Sequence, residues 1–146
     1  RSQQIYFVAM GQPVSDRSVM LAEMAPFLCA ETWRFVLVSP DTAPQLLGSA
    51  IATFRETEGV SAIVPSVLAD DLGIAGPDFR RITLSVHSDL EGVGLTAAGS
   101  NILADAGIAC NMVAALHHDH LFVPASKADH AMELLLALSS AAGGDT

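Results

Sequence analysis

Residues 82–123 read ITLSVHSDLEGVGLTAAGSNILADAGIACNMVAALHHDHLFV and contain a pattern of strand, helix and two strands. Residues 79–86 alternate apolar and polar side chains, which predicts a strand with one buried face. Apolar residues at helical spacing predict a helix over 93–106, and the glycine after it is predicted to end that helix. Two apolar runs around the polar turn HHD then predict a pair of strands, 108–116 and 120–125.

A last helix is predicted over residues 126–140, with Ser126 as its N-cap. Met132, Leu135 and Leu136 are predicted to lie on its core face. The second half of the chain therefore reads as strand, helix, two strands and helix. This order suggests a small α+β module.

The first half has a similar order of elements. Gly59 is the residue able to take a positive φ in the turn between two strands, and Ser66 and Gly73 are the N-cap and C′ candidates of the helix that follows. The predicted elements are a helix over 18–28, a strand buried largely on both faces over 32–39, a loop over 40–50, strands over 51–56 and 60–66, and a helix over 66–73.

In both halves a hairpin leads through Pro and Ser into a helix, as PSVLAD at 65–70 and as PASKAD at 124–129. This internal repeat predicts an α+β protein with two β-α-β modules and antiparallel sheets, which pair edge to edge or face to face. We predict modules at 19–78 and 79–142. An N-terminal extension of uncertain role, residues 1–18, precedes them.

Composition limits the classes of partner. The chain has 146 residues, 51% of them hydrophobic, and its net charge of −9 would repel nucleic acid and anionic membranes. No apolar run approaches the ~20 residues that span a bilayer. Cys29 and Cys110 lie far apart in apolar surroundings, which indicates buried thiols in a reducing cytoplasm.

The loop HSDLEGVG joins the predicted strand to the helix. A helix N-terminus presents free N–H groups, and Gly92 and Gly94 would let a small anion approach them. Asp89 and Glu91 would pair with an ammonium group, so the loop matches both ends of a free amino acid. The alternative is structural: Ser88 or Asp89 only caps the helix, and the glycines only allow a tight turn.

The motif HHDH, residues 117–120, consists of metal-ligand side chains. In a tight hairpin, however, successive side chains point in different directions, so we predict a polar turn and no metal. A metal-dependent enzyme remains a remote alternative. Motifs for nucleophilic hydrolysis, dinucleotides or phosphate loops are absent from the sequence, so we predict neither a catalytic residue nor a cofactor.

Several separated motifs resemble the ACT domain, a ferredoxin-like β-α-β-β-α-β module that binds amino acids. They are ATFRETEG, RITLSVHSDLEGVGLTAAGS, LADAGIACN and HHDHLFV, within about residues 19–140. Taken together in this order, the motifs are similar to those of bacterial stand-alone proteins with tandem ACT-like modules. The second module is similar to the aspartokinase type of regulatory domain. The usual loop proline is absent, and Val93 and Gly94 stand there.

The resemblance implies a regulatory or sensor protein without its own catalysis, whose partner is a small molecule such as an amino acid. The alternative is a structural or interaction module that dimerises through its sheets, and we predict a homodimer. The ligand-binding residues that the resemblance implies are His87, Ser88, Asp89, Leu90, Glu91, Gly92, Val93, Gly94 and Leu95 in the loop, with Asn111, Met112 and Val113 in the facing strand.

Overall fold

A computed structural model of the chain describes residues 17–85 and 94–143. Within them the chain forms six strands, five α-helices and one short 3-10 helix. In chain order these are α1 (Arg17–Ala22), β1 (Pro26–Val38), α2 (Ala43–Ser49), β2 (Ala52–Glu56), β3 (Gly59–Pro65), α3 (Ser66–Asp71), β4 (Phe79–Leu84), α4 (Leu95–Asp105), β5 (Asn111–Ala114), β6 (Asp119–Pro124), the 3-10 helix (Ala125–Lys127) and α5 (Ala128–Gly143).

The six described strands form one antiparallel sheet in the order β2-β3-β1-β4-β6-β5. Strands β1 and β4, the first strands of the two modules, are adjacent at its centre and pair Trp33 with Phe79. Outward from this pair each half has the same order, so the halves are related by an approximate two-fold axis. The predicted α+β class with repeated modules is confirmed, and the modules pair edge to edge.

The helices of the first half cover a small apolar core on one face of the sheet. Leu46 of α2 and Ala69 of α3 pack there against Val36 of β1 and Val64 of β3. Leu46, Ala69 and Val64 are fully buried, so these short helices are stabilised mainly by packing on the sheet.

A larger core lies under the helices of the second half. Leu103 of α4 and Leu135 of α5 pack on Ile82 and Leu121 of the sheet. Leu21 of α1 joins the same core, although α1 belongs to the first half of the chain. The Ser139 hydroxyl of α5 donates to the Ala22 carbonyl at 3.1 Å, which fastens α1 to the second half.

Arg34 of β1 is a buried cation that holds the connection between α3 and β4. Its guanidinium donates to Asp70, to Asp78 and to the Ile74 carbonyl, each at 2.7 Å. The hydrogen bonds to Asp70 and Asp78 raise the Arg34 pKa, and the bonds from Arg34 hold the Asp78 pKa below its usual value. A Cβ at Gly76 would lie 3.1 Å from Arg34 Cδ, so a residue without a side chain fits there best.

Three predictions about the first half are wrong. The predicted helix 18–28 ends at Ala22, and β1 begins at Pro26, because the residue before a proline disfavours helical backbone. The predicted loop 40–50 contains α2, whose Pro44 lies in the first turn, where a helix tolerates proline. Strand β1 is not buried on both faces, because Leu37 is 61% exposed.

The glycine predictions are confirmed and the serine caps are not. Gly59, Gly73 and Gly107 all have positive φ, at a hairpin turn and after two helices. Ser66 follows the N-cap Pro65, and no side-chain bond caps α3. Pro124 likewise precedes the 3-10 helix that contains Ser126. In both cases the chain leaves the strand at the proline, so the serine lies inside the first turn.

The second-half elements match their predicted types with different bounds: β4, α4 and β5 are shorter than predicted, β6 is shifted by one residue, and α5 extends to Gly143. Strand β5 has only four residues of the predicted 108–116, and it lies at the sheet edge, where Asn111 and Ala114 are exposed. In α5, Leu135 is fully buried, whereas Leu136 is 49% exposed. The assignment of Leu136 to the core face is therefore wrong, because position 136 lies one step around the helix from 135.

Candidate functional site

The predicted loop site lies mostly outside the described residues, which resume at Gly94. His87, Ser88, Asp89, Leu90, Glu91, Gly92 and Val93 therefore stay predictions. Gly94 is the N-cap of α4, with a φ of 102°, and its carbonyl accepts the Ala98 N–H at 3.0 Å. Leu95 is buried in the core of the second half. A side chain at Gly94 would be strained at this φ, so Gly94→Val would change stability as well as any binding.

The three strand residues of the predicted site do not share one face. Met112 packs against the core beneath the helices, whereas Val113 packs on the opposite face with Phe122. Asn111 lies on the same face as Val113, and its Nδ2 donates to the Phe122 carbonyl at 3.4 Å. The side chains available to a ligand on that face are therefore Asn111 and Val113.

Strand register shows which residues lie level with the start of the loop. Leu84, the last residue of β4, pairs with Asp119, which pairs with Ala114 at the end of β5. The loop therefore leaves the sheet beside the hairpin of the HHDH motif. Asn111 lies three residues further along β5, or about 10 Å at the rise of a strand.

A hairpin turn is present at the HHDH motif, closed by a bond from the Ala115 N–H to the His118 carbonyl at 3.0 Å, but Asp119, which was predicted in the turn, begins β6. His117 is exposed, Asp119 is buried and His120 is half-buried. Across residues 17–85 and 94–143, no group of three His, Cys, Asp or Glu side chains is placed to hold a metal ion. The absence of a metal stays a prediction.

The face of the sheet opposite the helices, here called the open face, is the feature that pattern analysis missed. The buried apolar residues of the helices pack into the two cores on the other face. Phe54 on the open face is 72% exposed, although Trp33 and Phe122 are buried within it. By strand register, this face carries Trp33, Phe35, Leu37, Phe54, Ile63, Phe79, Arg81, Thr83, Asn111, Val113, His120 and Phe122.

Aromatic rings form the apolar part of the open face. The ring of Phe35 meets those of Phe79 and Phe122 edge to face, with centroids 5.3 and 5.6 Å apart. This arrangement is favoured by the charge distribution of aromatic rings. The rings come from β1, β4 and β6, so they join the two halves of the sheet.

A polar group lies beside these rings. Arg81 Nε donates to Cys29 Sγ at 3.3 Å, and the Arg81 guanidinium carbon lies 5.5 Å from the centre of the Trp33 ring. The Thr83 hydroxyl and His120 Nδ1 share a hydrogen bond at 3.0 Å. Burial lowers the His120 pKa below its usual value, and the charge of Arg81 lowers it further, so this imidazole is neutral at pH 7.

The alternation of β4 contained a signal for this group, because it placed Arg81 and Thr83 together, opposite Ile82 and Leu84. The sequence pattern did not show which strands lie next to β4. Cys29 is 52 residues away from Arg81, and only the pairing of β1 with β4 brings them together. The other cysteine, Cys110, packs beside the core of the second half, and burial raises its thiol pKa, which does not favour a nucleophilic role.

Two ferredoxin-like modules that share one sheet define a class of small α+β folds. Within that class the chain belongs to the ACT domain family, since models described as ACT domains match residues 13–80 and 78–137. ACT domains are regulatory rather than catalytic modules. Membership therefore indicates a regulatory ligand-binding role and no catalytic family.

Solved structures agree with this membership. A Vibrio cholerae protein of unknown function, described as a possible transport protein, is 40% identical, with a TM-score of 0.71 over 81% of this chain and 92% of its own. The ligand-free regulatory subunit of aspartate kinase from Thermus thermophilus shares the fold at 11% identity, with a TM-score of 0.58 over 77% and 95% of the two chains. Among curated proteins, none matches this chain.

No helix in the described part of the chain is long and apolar enough to cross a membrane.

Proposed function

We propose that the protein is a small-molecule sensor that binds a free amino acid and regulates a partner without catalysis of its own. The proposed site comprises residues 87–95 with Asn111, Met112 and Val113. Carboxylates at Asp89 and Glu91 complement an ammonium group, and the start of α4 complements a carboxylate. A cytoplasmic location and modules at 19–78 and 79–142 belong to the same proposal.

The observation that carries the proposal is the difference between two equivalent connections. In the first half, only residues 39–42 join β1 to α2, and Ser39 and Thr42 close that turn with a 2.9 Å hydrogen bond. In the second half, ten residues, 85–94, join β4 to α4. The longer connection carries the charged side chains Asp89 and Glu91, so we expect one site per chain.

The test is thermal unfolding with each of the twenty amino acids. A ligand at about 100 times its Kd should stabilise the fold by about 2.7 kcal/mol, which raises the Tm by several degrees. Glu91→Gln should abolish most of this shift, because it removes a partner of the ammonium group. Glu133→Gln is the matched control, since Glu133 is exposed on α5 and its substitution changes the net charge by the same amount.

A response to no amino acid would contradict the proposed ligand. A response that Glu91→Gln leaves intact would place the ligand elsewhere.

The open face favours a second candidate, an interaction module that forms a homodimer. Phe27 also lies on the open face, because it pairs with Thr83. Phe27, Leu37 and Phe54 are each more than 60% exposed there, and such a patch is typical of an association surface. Light scattering should then give twice the chain mass of 15.2 kDa. The mass of a single chain at high micromolar concentration would refute the homodimer and leave the sensor function standing.

A further inference from the structure

We propose that the open face carries a second binding site, for a small monocarboxylate with an apolar body, centred on Arg81. This site is separate from the loop of the proposed sensor function and does not depend on it. Arg81 lies level with Phe122 and Asn111 in the sheet, three residues before the end of β4.

The first argument is that the donors of Arg81 are largely unused. Its hydrogen bond within the described residues goes to Cys29 Sγ at 3.3 Å, and sulfur is a weak acceptor. No described carboxylate lies within ion-pair distance of it; the two described ion pairs both belong to Arg34.

Two other strand arginines serve as internal references. Arg34 donates to two carboxylates and a carbonyl. Arg80, the neighbour of Arg81, directs Nε and Nη2 to the Cys29 carbonyl at 3.2 and 2.8 Å, where β1 bulges away from β4. Both side chains have evident structural roles. The guanidinium of Arg81 instead keeps the fork of donors that binds a carboxylate with two parallel hydrogen bonds.

The second, independent argument is the indole of Trp33. This side chain is 4% exposed, and its Nε1–H finds no acceptor among the described residues. Buried polar groups are nearly always paired, so an orphaned donor requires an explanation. The guanidinium carbon of Arg81 lies 5.5 Å from the Trp33 ring centre, so the orphaned indole lies beside the unused donors of Arg81.

The surroundings select the kind of anion. Arg81 supplies one positive charge, and His120, the nearest other cation candidate, is kept neutral by burial and by Arg81 itself. One charge suits a monocarboxylate better than a phosphate, which carries up to two negative charges. The half-buried Phe79 lies two residues from Arg81 along β4 on the same face, so its ring offers an apolar surface to the rest of the ligand.

The experiment uses benzoate as the probe and benzamide as its neutral counterpart. Trp33 is the single tryptophan of the chain, so its fluorescence reports directly on this face. Benzoate should change the emission in a saturable way in the low millimolar range, and calorimetry should give the same Kd. Benzamide should produce no saturable change, because it lacks the charge that Arg81 would bind.

Arg81→Gln should weaken benzoate binding by at least about tenfold, the size expected for hydrogen bonds to a charged group. Arg81→Lys keeps the positive charge but loses the forked pair of donors. Its affinity for benzoate should lie between those of the wild type and Arg81→Gln. Arg55→Gln is the matched control, because Arg55 is exposed on β2 and its loss changes the net charge equally. The affinities of the variants should be measured by calorimetry, because substitutions at Arg81 also change the surroundings of the Trp33 indole and hence its fluorescence.

Absence of saturable benzoate binding to the wild type would overturn the proposal, as would equal binding of benzamide or an unchanged Kd in Arg81→Gln. In that case Arg81 only covers the indole. Glu91→Gln should leave benzoate binding intact, and Arg81→Gln should leave any amino acid response intact. The two sites therefore succeed or fail separately.

Discussion

Phe122→Ala should lower the free energy of unfolding by about 3–5 kcal/mol. Phe122 is 2% exposed, although it lies on the face opposite the helices. It packs with Trp33 and Ile63, and its ring meets Phe35 edge to face. Truncation would remove these contacts and leave a cavity beside Trp33, Phe35 and Ile63. Urea unfolding followed by circular dichroism measures the change.

Phe122→Leu is the control, because it keeps most of the volume and should cost about 1.5 kcal/mol or less. A loss below about 1 kcal/mol for Phe122→Ala would mean that the aromatic cluster contributes little to stability.

Leu135→Ala should lower the free energy of unfolding by a comparable amount, about 2–5 kcal/mol. Leu135 is fully buried in the core that contains α1, α4 and α5. Its neighbour Leu136 is 49% exposed and provides the matched control. Leu136→Ala should cost about 1 kcal/mol or less, since its side chain already meets water.

Both variants can be followed in the same urea titration. Equal losses at the two positions would contradict the orientation of α5 described above. If Leu135→Ala lowered the stability of the second half alone and left the urea dependence of Trp33 fluorescence unchanged, the two cores would unfold separately.

Local pattern sufficed for most elements because side-chain periodicity and glycine positions are local properties. The alternation around Ile82 identified β4, and Gly107 marked the end of α4. The same approach missed α2, because two prolines and a glycine suggested a loop, although Pro44 occupies a position that a helix tolerates. It also failed at Leu37, because apolar alternation does not distinguish a buried face from an exposed one.

The candidate sites depend on long-range pairing, which periodicity does not contain. Asn111 and Val113 were identified by resemblance, but only register shows that they share a face with Arg81 and His120. The orphaned indole of Trp33 was also invisible in sequence, since a strand tryptophan ordinarily indicates packing alone. The loop at 87–93 was recognised from composition, and its ligand-binding role stays a prediction.

The approximate two-fold axis between β1 and β4 has a consequence for the ancestry of the chain. A single β-α-β-β-α unit that paired its first strand with that of an identical copy would give the same sheet from two separate chains. Gene duplication and fusion would then convert that symmetric pair into one polypeptide. The irregular pairing between Leu28 and Thr32 falls on β1 alone. It would mark where one copy diverged once fusion had freed the two halves from identity.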